Sequence, residues 1–210
     1  MDSADLHAAI TSERLRLADV LEELDTEEWG YESLCTGWTV KTLVAHLTLT
    51  SRLTKLEALR GVLAARFDIN AFIDHAARTR AAQYTPPELI TQFRESAGWT
   101  QRPMGAKPMD PFVDVLVHGQ DLTRPLRRTL AIAPDRAVSA LEFVLSTSFY
   151  GAPKRFAGLH LVATDTDWSH GEGDRELRGP AGDLLLVATG RPTGLAALDG
   201  AGVADLAARL

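Results

Sequence analysis

Apolar side chains return every three or four positions through the first two-thirds of the chain, a spacing that predicts a run of amphipathic helices. In residues 4–24, Leu6, Ile10, Leu15, Leu17, Val20, Leu21 and Leu24 stand among charged positions. Asp25, with Glu28 three residues later, marks the start of a short turn anchored by Trp29. After a loop containing Gly30, Ser33, Cys35 and Gly37, Thr39 caps a long helix expected to reach Arg66, with Val40, Leu43, Val44 and Leu47 on its buried side. Helices follow over residues 69–83 and 88–97, the second entered through Pro86 and Pro87. Residues 99–111, with Gly105, Pro103, Pro108 and Pro111, read as a loop. The loop delivers the chain into a helix over residues 110–125, and Pro134 opens another to about residue 147.

Past Tyr150-Gly151-Ala152-Pro153 the period changes. Residues 158–163 read as a strand, 168–171 as a second and 175–178 as a short third, with turns at Thr164-Asp165-Thr166-Asp167 and Gly171-Glu172-Gly173-Asp174. An apolar helix over residues 181–189 stops at Gly190, and a last one covers 203–210. The expected fold is therefore α+β. Residues 1–152 form a helical bundle, and residues 153–210 form a small α/β unit, too short to be comfortable alone and so expected to pack on the bundle.

Composition narrows the function more than the fold. At 210 residues, with 45% hydrophobic and 24% charged positions, the chain is ordinary globular material. A net charge of -6 argues against nucleic acid or an anionic membrane as the main partner. Arg124, Arg127 and Arg128 read as solvated surface, close enough to the preceding helix to steer an anion. Cys35 is the only cysteine, which excludes an internal disulfide and fits a reducing compartment. With no long apolar run and a non-basic start at MDSADLHAAI, the expected location is cytoplasmic. No G-x-G-x-x-G, P-loop, G-x-S-x-G or H-E-x-x-H motif is present, so dinucleotide, phosphoryl-transfer and serine-hydrolase chemistry lack support.

The candidate chemistry centres on residues 110–125. Asp114 and His118 are four apart and present a carboxylate and an imidazole on one helix face, while Val113, Val115, Leu116, Val117 and Leu122 wrap the rest. That spacing serves a divalent metal, and it equally serves a helical ion pair with no metal. His46 lies on the apolar side of its helix, where a satisfied core histidine and a ligand both fit. Asp121, one turn beyond His118, stands where it can orient that ring. His75 reads as surface, as do His160, His170, Asp165 and Asp167.

Several stretches together resemble the mycothiol-dependent maleylpyruvate isomerase family, within the DinB-like metal-binding four-helix bundle superfamily. They are Ser33-Leu34-Cys35-Thr36-Gly37-Trp38-Thr39-Val40-Lys41-Thr42-Leu43-Val44-Ala45-His46-Leu47, residues 114–122, and residues 158–191 with Arg178-Gly179-Pro180-Ala181. The resemblance implies a metal, usually zinc, held by His46, Asp114 and His118, and mycothiol as a thiol co-substrate. It also implies a catalytic arginine from the C-terminal domain, for which Arg191 is the match. Asp114 stands where the family's better-characterised isomerase has glutamate, and Gln120 where tryptophan is common, which changes the wall expected beside the metal.

Two nitrogens and one carboxylate leave a coordination position open on zinc, as catalytic sites do. A free thiol, with a pKa of about 8.5, is mostly protonated at neutral pH, and coordination makes it a thiolate. Cys35 lies in the loop before its helix, so an external thiol is expected. Two functions follow. One is an enzyme, a thiol transferase or a cis–trans isomerase of a small electrophile such as maleylpyruvate, acting as a monomer or homodimer. The other is a non-catalytic metal-binding regulator or small-ligand module on the same bundle.

Overall fold

In the computed structural model, residues 2–102 and 105–210 are described, Lys55 by its backbone alone. Pro103 and Met104, within the expected 99–111 loop, lie outside the described residues. The protein is α+β: mostly helical, with a small three-stranded sheet among the described residues. The chain divides into two compact units, residues 1–130 and 131–210.

The first unit contains α1 (Ser3–Glu22), α2 (Val40–Leu47), α3 (Leu49–Arg52), α4 (Lys55–Ala64), α5 (Ile69–Gln83), α6 (Pro86–Glu95) and α7 (Asp110–Thr123). Its core joins Leu17 and Leu21 of α1 and Val40, Leu43 and Val44 of α2 with Leu89 and Phe93 of α6 and Val115 and Leu122 of α7. Burial of each such aliphatic side chain contributes about 1.5–3 kcal/mol, and this apolar seam is what fixes α2 and α7 within one unit. Asp25 and Glu28 form the expected reciprocal cap: Asp25 N–H donates to Glu28 Oε2 and Glu28 N–H to Asp25 Oδ1. They open a single 3-10 turn, Glu28–Gly30, with Trp29 buried.

The long helix expected from Thr39 to Arg66 is instead three helices. Thr39 does cap α2, accepting from Thr42 N–H. At Thr48 the hydroxyl donates back to Ala45 O, competing with the helix's own backbone pattern, and α2 ends at Leu47. Thr54 and Glu57 then close a capping box that starts α4 afresh.

The second unit holds α8 (Pro134–Leu145), α9 (Ala152–Arg155), β1 (Leu159–Ala163), β2 (Ser169–His170), β3 (Arg175–Gly179), α10 (Ala181–Ala188) and α11 (Val203–Ala207). Strand order is β2-β1-β3, with β1 antiparallel to β2 and parallel to β3. The unit boundary is 130/131, not the expected 152/153, and the reason is α8. Its apolar stripe Ala137, Ala140, Leu141 and Val144 is fully buried, and α8 packs on α10. Helix α10 is buried nearly all round and packs on α8 and on the 3-10 segment Pro192–Ala197, with a smaller contact to β1. Among the described residues, no helix is long and apolar enough to cross a membrane.

Candidate metal centre

Helix α7 enters through Pro111 in its first turn and is buried along most of its length, which holds Asp114 and His118 in register. Helix α2 brings His46 to the same place. His118 Nε2 lies 3.4 Å and His46 Nε2 3.9 Å from Asp114 Oδ1. One donor atom from each of the three residues lies within 4.8 Å of the others. The rings of His46 and His118 meet edge to face at 5.2 Å, and Trp38 leans on His46 at the same centroid distance. Trp38 is in turn fixed by Asp74 Oδ1, which accepts from its indole N–H at 2.6 Å, while Arg78 pairs with the same carboxylate.

His118 is oriented from behind. Asp121, fully buried, accepts from its Nδ1 at 2.9 Å, so the other nitrogen faces Asp114. Among the described residues His46 has no such partner: its Nδ1 is buried without a hydrogen bond, and packing against Trp38 and His118 holds the ring. An unsatisfied buried nitrogen costs about 1–3 kcal/mol and is the kind of group retained at functional sites.

Charge at the cluster is mutually reinforced. Burial is the largest single influence on His118 and opposes its protonation, but the Asp114 carboxylate, the hydrogen bonds to Asp121 and Cys35 and the Asp121 charge together outweigh it, and the pKa rises to about 10. For Asp114, burial pushes up, while the charge of His118, the His46 hydrogen bond and the Arg14 guanidinium hold it well below the ordinary 3.8. Arg14 of α1 carries no sequence signal that sets it apart from the other charged positions of its helix. Its Nη1 donates to Ser96 O, Ala97 O and Trp99 O, anchoring its charge on the Asp114 side of the unit.

The sign of the pH dependence follows. In the metal-free protein, the stability contributed by His118 is full below 6.5 and is lost as pH rises toward about 10. The contribution of Asp114 is present above 3.8 and is lost on acidification. A cation at Nε2 would have to displace the proton that the raised pKa holds there, so the apparent affinity for a divalent cation such as zinc is expected to rise about tenfold per pH unit between pH 6 and 9. Competition with a chelator across that range measures the slope, and a flat profile contradicts it.

The donor set fits one divalent cation. Bonds of about 2.0–2.2 Å in a tetrahedron separate neighbouring donors by roughly 3.3–3.6 Å, near the 3.4 and 3.9 Å seen from Asp114, and the Asp114 side chain keeps 45% of its surface exposed, leaving a side open. Asp121→Asn is expected to lower zinc affinity by about 10–100-fold, read by the same competition.

Gln120 donates to Leu130 O at 2.6 Å and accepts from Arg124, so its side chain ties down the end of the first unit. Arg128 pairs with Glu28, which makes it structural and not a steering group. His75 is exposed, as expected, and His160 pairs loosely with Glu176 on the sheet. Arg191, in the second unit, donates from Nη1 to Thr189 O at 2.8 Å. Cys35, by sequence only a loop residue, places its thiol on the far side of His118, donating to Asp121 Oδ2 at 3.3 Å.

Fold and cluster together define an α+β protein whose helical unit carries a converged set of candidate cation donors. The family model for the mycothiol maleylpyruvate isomerase N-terminal domain matches residues 10–123, and the chain belongs to that family. The matched span contains His46, Asp114, His118, Cys35 and Asp121. Among solved structures, the chain is similar to a mycothiol-dependent maleylpyruvate isomerase, at 13% identity and a TM-score of 0.62, over 96% of this chain and 93% of that one. It is also similar to a histidine-to-alanine mutant of such an isomerase, at 15% identity and a TM-score of 0.52 over the same shares. At these identities the likeness concerns the fold. No curated protein matches the chain.

Proposed function

We propose that this protein is a divalent-metal-dependent enzyme that takes mycothiol as its thiol co-substrate and acts on a small electrophile. The reaction is either a cis–trans isomerisation, as of maleylpyruvate, or an S-transfer. The observation that carries this reading is the convergence of His46, Asp114 and His118 within a chain of the isomerase family. His46 and His118 would hold the cation through Nε2 and Asp114 through Oδ1, with Asp121 keeping the His118 ring in place. A bound zinc ion supplies a lowered thiol pKa, so that the co-substrate is a thiolate at neutral pH. The half-exposed Asp114 keeps that side open for an incoming thiol. In the same reading Arg191 stabilises negative charge developing on the substrate. Partners are thus two small molecules, and the thiol pool implies a cytoplasmic setting.

Incubating the zinc-loaded protein with mycothiol and maleylpyruvate tests this directly. The cis acid is expected to disappear only when both thiol and metal are present. Turnover independent of the thiol contradicts the proposal. Arg191→Ala is expected to slow the reaction by about 100-fold or more while leaving zinc affinity unchanged. Equal turnover in the variant removes the arginine from the catalytic set.

A further inference from the structure

His118 has donors on both faces. Its Nε2 looks toward Asp114 and His46, and its Nδ1 lies 2.9 Å from Asp121 Oδ2 and 3.7 Å from Cys35 Sγ, with Sγ 3.3 Å from that same oxygen. Cys35, His118 and Asp121 offer donor atoms within 4.8 Å of one another. We propose that these three residues form a second cation position, selective for a thiophilic divalent ion such as cadmium, which is filled only at the expense of the first.

The donor spacings suit an ion. A tetrahedral centre of zinc's size, with sulfur at about 2.3 Å and nitrogen and oxygen at about 2.0–2.2 Å, places its donors roughly 3.3–3.7 Å apart, against 2.9, 3.3 and 3.7 Å here; the larger cadmium ion needs the His118–Asp121 pair to open by somewhat under about 1 Å. Charge matches as well. When the thiol proton leaves to solvent, Cys35 and Asp121 carry two negative charges in a place where Asp121 has no exposed surface, enough to neutralise one divalent ion. The sulfur sets the selectivity, since thiolate favours soft cations over magnesium or calcium, whereas the His46 position offers only nitrogen and oxygen.

The cysteine is held for this by its loop. Leu34 N–H donates to Asp121 O at 3.0 Å, binding the loop to α7 one residue before the thiol. Trp38 N–H donates to Cys35 O, closing a tight turn whose third residue, Gly37, has φ +74°, a conformation glycine adopts without strain. Exclusion between the two positions follows from the imidazole, because a neutral ring has one lone pair. With Nδ1–H donated to Asp121, only Nε2 can coordinate, and coordination at Nδ1 puts the hydrogen on Nε2, facing Asp114. The inference rests on the placement of Cys35 and not on the thiol co-substrate.

Cadmium titration of the metal-free protein, followed by the ultraviolet thiolate-to-cadmium absorption, reads the site. The band is expected to appear in the wild type and to saturate at one ion per chain. His46→Ala should keep it, Cys35→Ser should lose it, and His118→Ala should weaken binding more than tenfold, each with unchanged helical circular dichroism. Absence of the band in the wild type, its loss in His46→Ala, or its persistence at full affinity in His118→Ala overturns the proposal. Cadmium NMR of the wild type asks the same without a variant: a shift typical of one sulfur ligand is expected, and an all-nitrogen-and-oxygen shift contradicts it. Zinc binding through His46 with no thiolate band would sink this inference and leave the enzyme proposal standing.

Discussion

Replacing His118 with alanine is expected to lower zinc affinity by more than about 100-fold, beyond the 10–100-fold that loss of an outer hydrogen-bond partner brings. His118 is the residue on which both sides of the site depend. Its Nε2 faces Asp114, and its Nδ1 is engaged by Asp121. Removal leaves Asp121 buried without its imidazole donor and Asp114 without the charge that lowers its pKa. His46 and Asp114 alone cannot compensate, since two ligands give a cation little advantage over water. Helical content should hold, because the α7 residues that pack the core, Val115 and Leu122, are untouched. Chelator competition on folded variant and wild type provides the check, and affinities within a few-fold of each other would remove His118 from the site.

Phe93→Ala is expected to destabilise the first unit by about 3–5 kcal/mol, the cost of emptying a buried aromatic position that neighbours fill only in part. Phe93 is 1% exposed and belongs to the same core cluster as Leu43 and Val44 of α2 and Val115 of α7. These are the helices that carry His46, Asp114 and His118. The loss should therefore appear twice, as a fall of roughly 10–15 °C in the midpoint of thermal unfolding and as weaker zinc binding below it. A calorimetric scan showing a shift of only a degree or two would mean that the core is organised differently.

The helix of Asp114 and His118 is legible in the sequence because a 14-residue apolar pattern interrupted by one polar face suits a buried helix and little else. His46 is harder: one histidine on an apolar face fits a core as well as a ligand, and only family resemblance ties it to α7. The break at Thr54 is readable, since Thr54-Lys55-Leu56-Glu57 is a capping box, but the apolar period running through it suggests one continuous helix. Placement of α8 is not readable at all. Its stripe of Ala137, Ala140, Leu141 and Val144 specifies a buried face without specifying what covers it. The role of Cys35 is hidden for a similar reason. Its contact with Asp121 spans 86 positions and depends on a loop folding back through one backbone hydrogen bond, which no local pattern encodes.

The central claim is that His46, Asp114 and His118 hold a metal that presents an external thiol. Isothermal titration of the zinc-loaded protein with mycothiol tests it most directly, with metal-free protein and His118→Ala as controls. Saturable binding near one thiol per chain is expected, with proton release visible as a dependence of the heat on buffer ionisation, and no binding in either control. Equal binding with and without zinc, or no binding to the zinc-loaded wild type, would contradict it.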